Sequence, residues 1–249
     1  MVEAVETMDG WYVLHDLRKV DWAKWKAASE EKRQAALTEF HTHYVAWEDN
    51  ERKAEGSYGI FHIVGQKADV MITLLRPTVE EILATETLFN KSLLAEFLIP
   101  AESYMSVVEL SKYRPAQNGV DPETLPETQK RLKPILEKWE YVSFYPMSRK
   151  REGEDNWYTL EKDIRGKLLY EHSITGRKYA GKVKQIITGS TGFDEWEWGV
   201  TLFAHDYLEL KKIVYEMRYD TATARYGVFG DFYTGKTCTF ETFEELLKI

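Results

Sequence analysis

The order in which apolar periodicity changes along this chain limits its fold more than any single motif does. Over residues 10–17 large apolar and polar residues alternate, the two-residue period of a half-buried strand. From about Asp21 to Asn50 the period lengthens, and Ala36, Phe40, Tyr44 and Trp47 recur at three- and four-residue steps on one helix face. Two runs rich in strand formers, 58–64 and 69–75, flank Gly65-Gln66-Lys67. Pro77 and the capping-box pattern of Thr78 and Glu81 then open a second helix, with Val79, Ile82, Leu83 and Phe89 expected inward. A strand over 104–110 completes a β-α-β-β-α-β series.

Residues 114–130 carry three prolines, one glycine and few large apolar groups, which reads as a linker or long surface loop. The series then repeats. A strand is expected at 140–147 and a helix at 161–172, with Ile164, Leu168 and His172 on one side and Thr175-Gly176 as its stop. Strands at 182–188 and 195–203 follow, then a helix at 206–218 with Leu210, Ile213, Val214 and Met217 inward, and a last strand at 224–233. Two tandem βαββαβ series are two ferredoxin-like halves. The expected organisation is an N-terminal half at 1–113 that serves assembly, a linker at 114–130 and a C-terminal half at 131–249. The fold class is α+β. A sheet with helices on one face needs its other face covered, which packing the two sheets as a β-barrel flanked by helices achieves.

Charge excludes one class of partner. Lys and Arg number 33 against 41 Asp and Glu, a formal net charge of -8, so no general nucleic-acid binder is expected. The single cysteine, Cys238, allows no internal disulfide, as suits a reducing compartment. The first residues, MVEAVETMDGW, carry acids where a signal peptide needs a basic region, and no apolar run approaches the ~18–20 residues of a membrane span. The expectation is a cytoplasmic protein with no membrane span.

One motif matches by letter only. Gly230 to Thr237 satisfies G-x4-G-K-[ST], but phosphate binding needs a compact loop between a strand and the helix it opens. Phe232 and Tyr233 look like strand residues, and 12 residues after Thr237 cannot build a parallel α/β sheet, so nucleotide binding is not expected. Among the six histidines, His41 and His43 sit two apart on a helix and cannot form an i,i+4 metal pair. His172 lies on the apolar stripe of its helix near the C-terminal end. It is either a core histidine favoured by the helix dipole or a ligand. Strand 140–147 alternates so that Tyr141, Ser143, Tyr145 and Met147 share a face, and Ser148 leads into three cations, Arg149, Lys150 and Arg151. Gln185 stands between Val183 and Ile187 on an otherwise apolar face. Arg177, Lys178, Lys182 and Lys184 add positive charge. These cations are either a solvated surface or part of a recess for a multiply charged anion, to which Arg131 and Arg149 could form paired hydrogen bonds.

The segments DGWY (9–12), GQKAD (65–69), SVVELS (106–111), FYPM (144–147), DNWY (155–158), GRKYAGKVKQIITGS (176–190), EWGVTLF (197–203) and YEMRYD (215–220) resemble the coproheme decarboxylases, chlorite-dismutase-like haem proteins of Gram-positive bacteria. The resemblance runs nearly end to end and weakens in 22–56, in the linker and after Gly235. It implies a homopentamer with the haem site in the C-terminal half. By position it makes His172 the iron ligand, Tyr145 the radical-forming tyrosine, and Arg131, Tyr145, Pro146, Met147, Ser148, Arg149, Gln185 and Thr223 the porphyrin contacts. The implied reaction is peroxide-dependent decarboxylation of two propionates of Fe-coproporphyrin III (coproheme) to give haem b. Hydrogen peroxide is the oxidant, and ferrochelatase is the expected donor of the porphyrin.

Gln185 replaces the arginine of true chlorite dismutases, so chlorite decomposition is not expected. Arg149 stands where the family has lysine, with Lys150 next, so either cation could hold the propionate. The altered pair leaves a second possibility, a haem or coproheme carrier or regulator without efficient turnover, and a third, a haem-dependent peroxidase.

Overall fold

A computed structural model describes residues 2–113 and 121–249. In chain order its elements are β1 (Thr7–Val20), α1 (Trp22–Ala27), α2 (Glu30–Arg52), β2 (Ser57–Ile63), β3 (Val70–Arg76), α3 (Val79–Asn90), β4 (Leu98–Ser111), α4 (Pro126–Leu132), β5 (Tyr141–Arg149), the short pair β6 (Arg151–Glu152) and β7 (Asp155–Asn156), α5 (Lys162–Arg177), β8 (Val183–Gly189), β9 (Trp198–Ala204), α6 (Tyr207–Met217), α7 (Thr221–Tyr226), β10 (Gly227–Phe229), β11 (Tyr233–Thr237) and α8 (Phe240–Leu246). Single-turn 3-10 helices occupy Leu94–Phe97, Pro122–Thr124 and Trp157–Thr159. The α+β class expected from the repeated series is what forms. Part of the expected linker, 114–120, lies outside the described residues; the rest holds one 3-10 turn and α4.

The chain divides into two compact units. One gathers Trp11–Met105, Lys133–Lys138 and Tyr233–Ile249. Its strands run in the order β11-β2-β3-β1-β4. Helices α2 and α8 pack Phe40, Trp47, Phe243 and Leu247 with Tyr58, Ile60 and Ile72 of the sheet in one apolar cluster. The helix expected over 21–50 is two helices. Asp21 caps α1 and Ser29 caps α2, each accepting a backbone N–H three residues on, and Ala28 between them is extended. The capping box of α3 forms in full, with Glu81 N donating to Thr78 Oγ1 (3.2 Å) and Thr78 N donating to Glu81 Oε2 (3.3 Å). Of its expected inward residues Ile82 and Phe89 are buried, whereas Leu83 is exposed, so the buried stripe is narrower than the periodicity suggested. The sequence pattern also left α8 unmarked; the Trp25 indole ties the residue after it by donating to Leu247 O (2.7 Å).

The P-loop-like segment ends in a strand. Gly235 and Lys236 pair with Ile63 and His62 of β2, and a Cβ added at Gly235 would stand 2.1 Å from His62 O. Close approach of two backbones accounts for the glycine.

The other unit gathers Met1–Gly10, Ser106–Leu132 and Trp139–Phe232. Here the order is β10-β5-β9-β8, with the end of β4 beside β8 through Val107–Gly189 and Val108–Thr188. Helices α5, α6 and α7 belong to it. Two expectations fail at helix ends. Helix α5 continues through Thr175 and Gly176 to Arg177, because Gly176 lets Met217 of α6 approach to 3.0 Å of where a Cβ would be. The strand expected over 224–233 is instead α7, a three-residue β10, a break and β11: Asp220 caps α7 by accepting from Thr223 N (2.9 Å), and the Ala-containing segment TATARY coils after it. Among the described residues no helix is long and apolar enough to cross a membrane.

Candidate functional site

Strand register decides which side chains share a surface. In antiparallel pairs, directly opposed residues point to the same face. Tyr145 opposes Val200, which opposes Ile187; Ser143 opposes Leu202, which opposes Gln185; Met147 opposes Trp198, which opposes Gly189. Phe229 of β10 opposes Met147, and Gly227 opposes Arg149. One face of this sheet therefore carries Tyr145, Met147, Arg149, Gln185, Ile187, Trp198, Val200 and Leu202. Pro146 and Ser148 point to the other face. Helix α6 covers the end near Tyr141, Tyr145 and Val183 with Leu210 and Ile213. Ala222 and Tyr226 of α7 form a second cluster with Trp157, Leu168 and Leu169. Gln185 and Ile187 remain exposed, with Ile187 at 40%.

The Tyr145 ring is buried, stacked on Phe232 at 4.4 Å and tilted to Phe229 at 5.8 Å between centroids. Burial pushes its phenol pKa well above the usual value, against a smaller lowering by the nearby positive charge of Arg218. The phenol is thus held protonated.

His172 projects from α5 toward the start of α7. Its Nδ1 lies 2.8 Å from Asp220 Oδ2 and 3.3 Å from Thr223 Oγ1. Burial raises the Asp220 pKa, but hydrogen bonds from His172 and from the Thr223 N–H and hydroxyl outweigh it, and the carboxyl sits below its ordinary range. A carboxylate can only accept, so Nδ1 donates, and in the neutral ring Nε2 keeps its lone pair. This is how histidines that bind metals are held. Thr223, buried, helps to fix this pair.

The predicted cations fare differently. Arg149 is 8% exposed; its guanidinium donates to Ala222 O (2.7 Å) and lies 4.7 Å over the Trp157 ring. Its backbone N–H donates to the buried carboxylate of Glu197 (2.7 Å), whose own N–H reaches Met147 O and Ser148 Oγ (3.1 and 3.2 Å). Lys150 is exposed and lies 3.6 Å from Asp155. Arg131 is exposed on the last turn of α4 and has no hydrogen bond or ion pair among the described residues. Lys178 pairs with Glu216, and Lys182 with Glu209, at the surface. That charge run is therefore a solvated face.

The structure brings Tyr145, Met147, Arg149 and Gln185 to one sheet face, and His172 to Thr223. It does not gather Lys150 with them. Four neighbours went unnamed by sequence reading: Trp157, Glu197, Arg218 and Asp220. Only Asp220 had a readable signal, the Asp-x-x-Thr spacing of a helix start. The other three are recognised only through contacts distant in sequence.

All of these residues lie within a single compact unit. Residues 25–238 match the family model described as chlorite dismutase. The chain belongs to the chlorite dismutase family. A solved structure of a heme-binding protein from Thermus thermophilus is 42% identical, with a TM-score of 0.95 over 100% of this chain and 99% of that one. Chlorite dismutase from Candidatus Nitrospira defluvii in complex with imidazole is 17% identical, with a TM-score of 0.75 over 96% and 95%. An arginine-to-lysine variant of the same enzyme gives 16% and 0.76 over 96% and 95%. At such identities these two share the fold of this member of the chlorite dismutase family, and the Thermus protein shares much of its sequence as well.

Proposed function

We propose that this chain binds an iron porphyrin against the face of β5, β9 and β8 that carries Tyr145, Met147 and Gln185, and that it is a peroxide-dependent coproheme decarboxylase. The observation that carries the reading is the His172–Asp220 pair (2.8 Å), which leaves an imidazole Nε2 ready for iron next to a sheet face carrying a buried phenol. The residues present fit the group: exposed Ile187 and half-buried Met147 offer apolar contact to a flat macrocycle, and a neutral imidazole is a common haem ligand. The 42% identity to a heme-binding protein supports the same assignment.

In this reading His172 holds the iron, Gln185 and Met147 line the macrocycle, and Arg131, Arg149 and Thr223 are its further porphyrin contacts. The bound iron porphyrin supplies the site at which peroxide is reduced and the oxidising equivalents arise. Tyr145 does the protein's part of the chemistry. Its burial disfavours phenolate, so it gives up electron and proton together. The neutral radical then takes a hydrogen atom from the propionate β-carbon and returns to phenol. The second oxidising equivalent of the same peroxide takes one further electron as carbon dioxide leaves, which gives a vinyl group, and two such rounds, each with one peroxide, convert coproheme to haem b. Homopentameric assembly and delivery of the porphyrin by ferrochelatase belong to the same reading. Arg149 turned to Ala222 and Lys150 set against Asp155 favour the second reading, a carrier without turnover, because neither attends Tyr145.

The test is to load the purified protein with coproheme, add peroxide in steps and weigh the porphyrin. Loss of carbon dioxide and two hydrogens from each of two propionates is expected, with Tyr145→Phe binding coproheme but leaving it intact. Bleaching without vinyl products supports the carrier. Normal turnover by Tyr145→Phe removes the tyrosine from the mechanism.

A further inference from the structure

The C-terminal end of α6 carries two tyrosines in direct contact. Tyr215 and Tyr219 stand four residues apart, with their hydroxyl oxygens at 2.7 Å and their rings at 5.3 Å between centroids and 73° between planes. Both are exposed, at 55% and 72%. Tyr215 is on the helix, whereas Tyr219 follows the C-cap Arg218 in a turn. The hydrogen bond with Tyr215 raises the Tyr219 pKa, so Tyr219 stays a neutral phenol. The opposite side of α6 packs on the Tyr145 sheet, where Leu210 and Ile213 share a cluster with Tyr145. Tyr215 is about 200° round the helix from Ile213, so roughly one helix diameter, ~10–12 Å, separates it from that cluster. A second pair gives a contrast. Tyr44 and Tyr58 have similar ring geometry, 5.4 Å and 82°, and their side chains are hydrogen-bonded, but Tyr58 is buried and Tyr44 packs on the same apolar core.

We propose that Tyr215 and Tyr219 form a surface oxidation site, at which one-electron oxidants join the two rings into a dityrosine. This goes beyond the proposed function, which supplies one such oxidant, hydrogen peroxide reduced at a bound iron porphyrin. Each phenol gives up one electron and its hydroxyl proton. The two radicals form a carbon–carbon bond between ring carbons ortho to the oxygens, and the hydrogens on those carbons move to the oxygens and restore both phenols. The pair has then lost two electrons and two protons, which one peroxide takes up to become two waters. The contact between hydroxyls brings an ortho carbon of each ring to the side of the other, and holding both reactants together replaces a chance encounter with a local step. Exposure lets the protons pass to water, and the turn at Tyr219 leaves its ring room to close on its neighbour. At Tyr44 and Tyr58 the core denies both, because close-packed side chains resist movement and exclude water.

The test uses two oxidants. Dilute apo protein is oxidised by visible light with tris(bipyridine)ruthenium and persulfate, which needs no porphyrin, and protein loaded with haem b is given peroxide in small steps. Each sample is digested with trypsin, which cuts after Arg218 and so separates Tyr215 from Tyr219 unless they are linked. The expected product of both treatments is a joined peptide of 213–218 and 219–225, two hydrogens lighter than the sum of its parts and with dityrosine fluorescence. Tyr215→Phe and Tyr219→Phe should each lack it while melting like wild type, since both side chains are exposed. Tyr44 and Tyr58 should stay unlinked. Unlinked peptides after the light-driven oxidation overturn the inference whatever the porphyrin does. Peroxide that links other tyrosines in place of this pair, in protein that binds haem b, overturns it and leaves the proposed function standing. Protein that binds no haem b overturns the proposed function and leaves the light-driven result to decide the inference.

Discussion

Asp220 performs two tasks that can be separated by substitution. Its Oδ1 caps α7 through Thr223 N (2.9 Å), and its Oδ2 accepts from His172 Nδ1 (2.8 Å). Removing a cap of this kind costs about 1 kcal/mol, and removing the carboxylate behind a metal-bound histidine costs roughly 10- to 100-fold in metal affinity. Asp220→Ala loses both. Asp220→Asn keeps the cap, since Asn caps as well as Asp, and keeps an acceptor for Nδ1–H, but loses the charge. The expected result is a lowered melting temperature for apo Asp220→Ala and a near-native one for Asp220→Asn. Both variants should bind ferric coproheme more weakly, Asn at the lower end of that range. The iron–histidine stretch of the reduced, loaded protein should move to lower frequency in both, because the imidazole becomes a weaker donor. An Asp220→Ala protein that melts early yet binds coproheme like wild type would refute the reasoning and leave Asp220 as a helix cap alone.

Further outcomes follow from other sites. His15 is fully buried and its pKa is lowered by burial to about 3, whereas in the unfolded chain it takes up a proton near 6.5. The stability it confers is complete above that value and is lost as pH falls from 6.5 toward 3, by up to ~1.4 kcal/mol per unit. Urea titrations should show a flatter slope over this window in His15→Gln, and an unchanged slope would exclude the residue as its source. Gly235→Ala should cost about 2 kcal/mol or more, since the added carbon meets the His62 carbonyl, whereas Lys236→Ala should stay within about 0.5 kcal/mol. Denaturation midpoints check this, and an equal, small effect of both would mean that β11 can shift. Tyr145→Phe should melt within about 1 kcal/mol of wild type, because the ring packing on Phe229 and Phe232 survives.

Much of the architecture was legible because long amphipathic periods and caps are local properties. The capping box at Thr78, the alternation of β5 and the α6 stripe each appear where the residues predict. Errors arose at helix ends, where a tertiary contact or an overlooked cap decides the boundary. Thr175-Gly176 resembles a helix stop, but α5 continues because Met217 packs against Gly176. Residues 224–229 resemble a strand, yet the Asp220 cap commits 221–226 to a helix. At the site, residue types pointed only to an anion, and Tyr145 and His172 took their roles from the family resemblance, while which cation meets that anion was unreadable. Arg149 is drawn away by a carbonyl 73 positions distant, and Arg218 packs on the Phe229 ring of β10. Neither relation leaves a trace in local spacing.

The most direct test is a crystal structure of the protein loaded with ferric coproheme. The account predicts iron bonded to His172 Nε2, the macrocycle against Ile187 and Met147, and one propionate at the Tyr145 hydroxyl. Iron held by any other side chain, or a porphyrin lodged away from this sheet face, would contradict it.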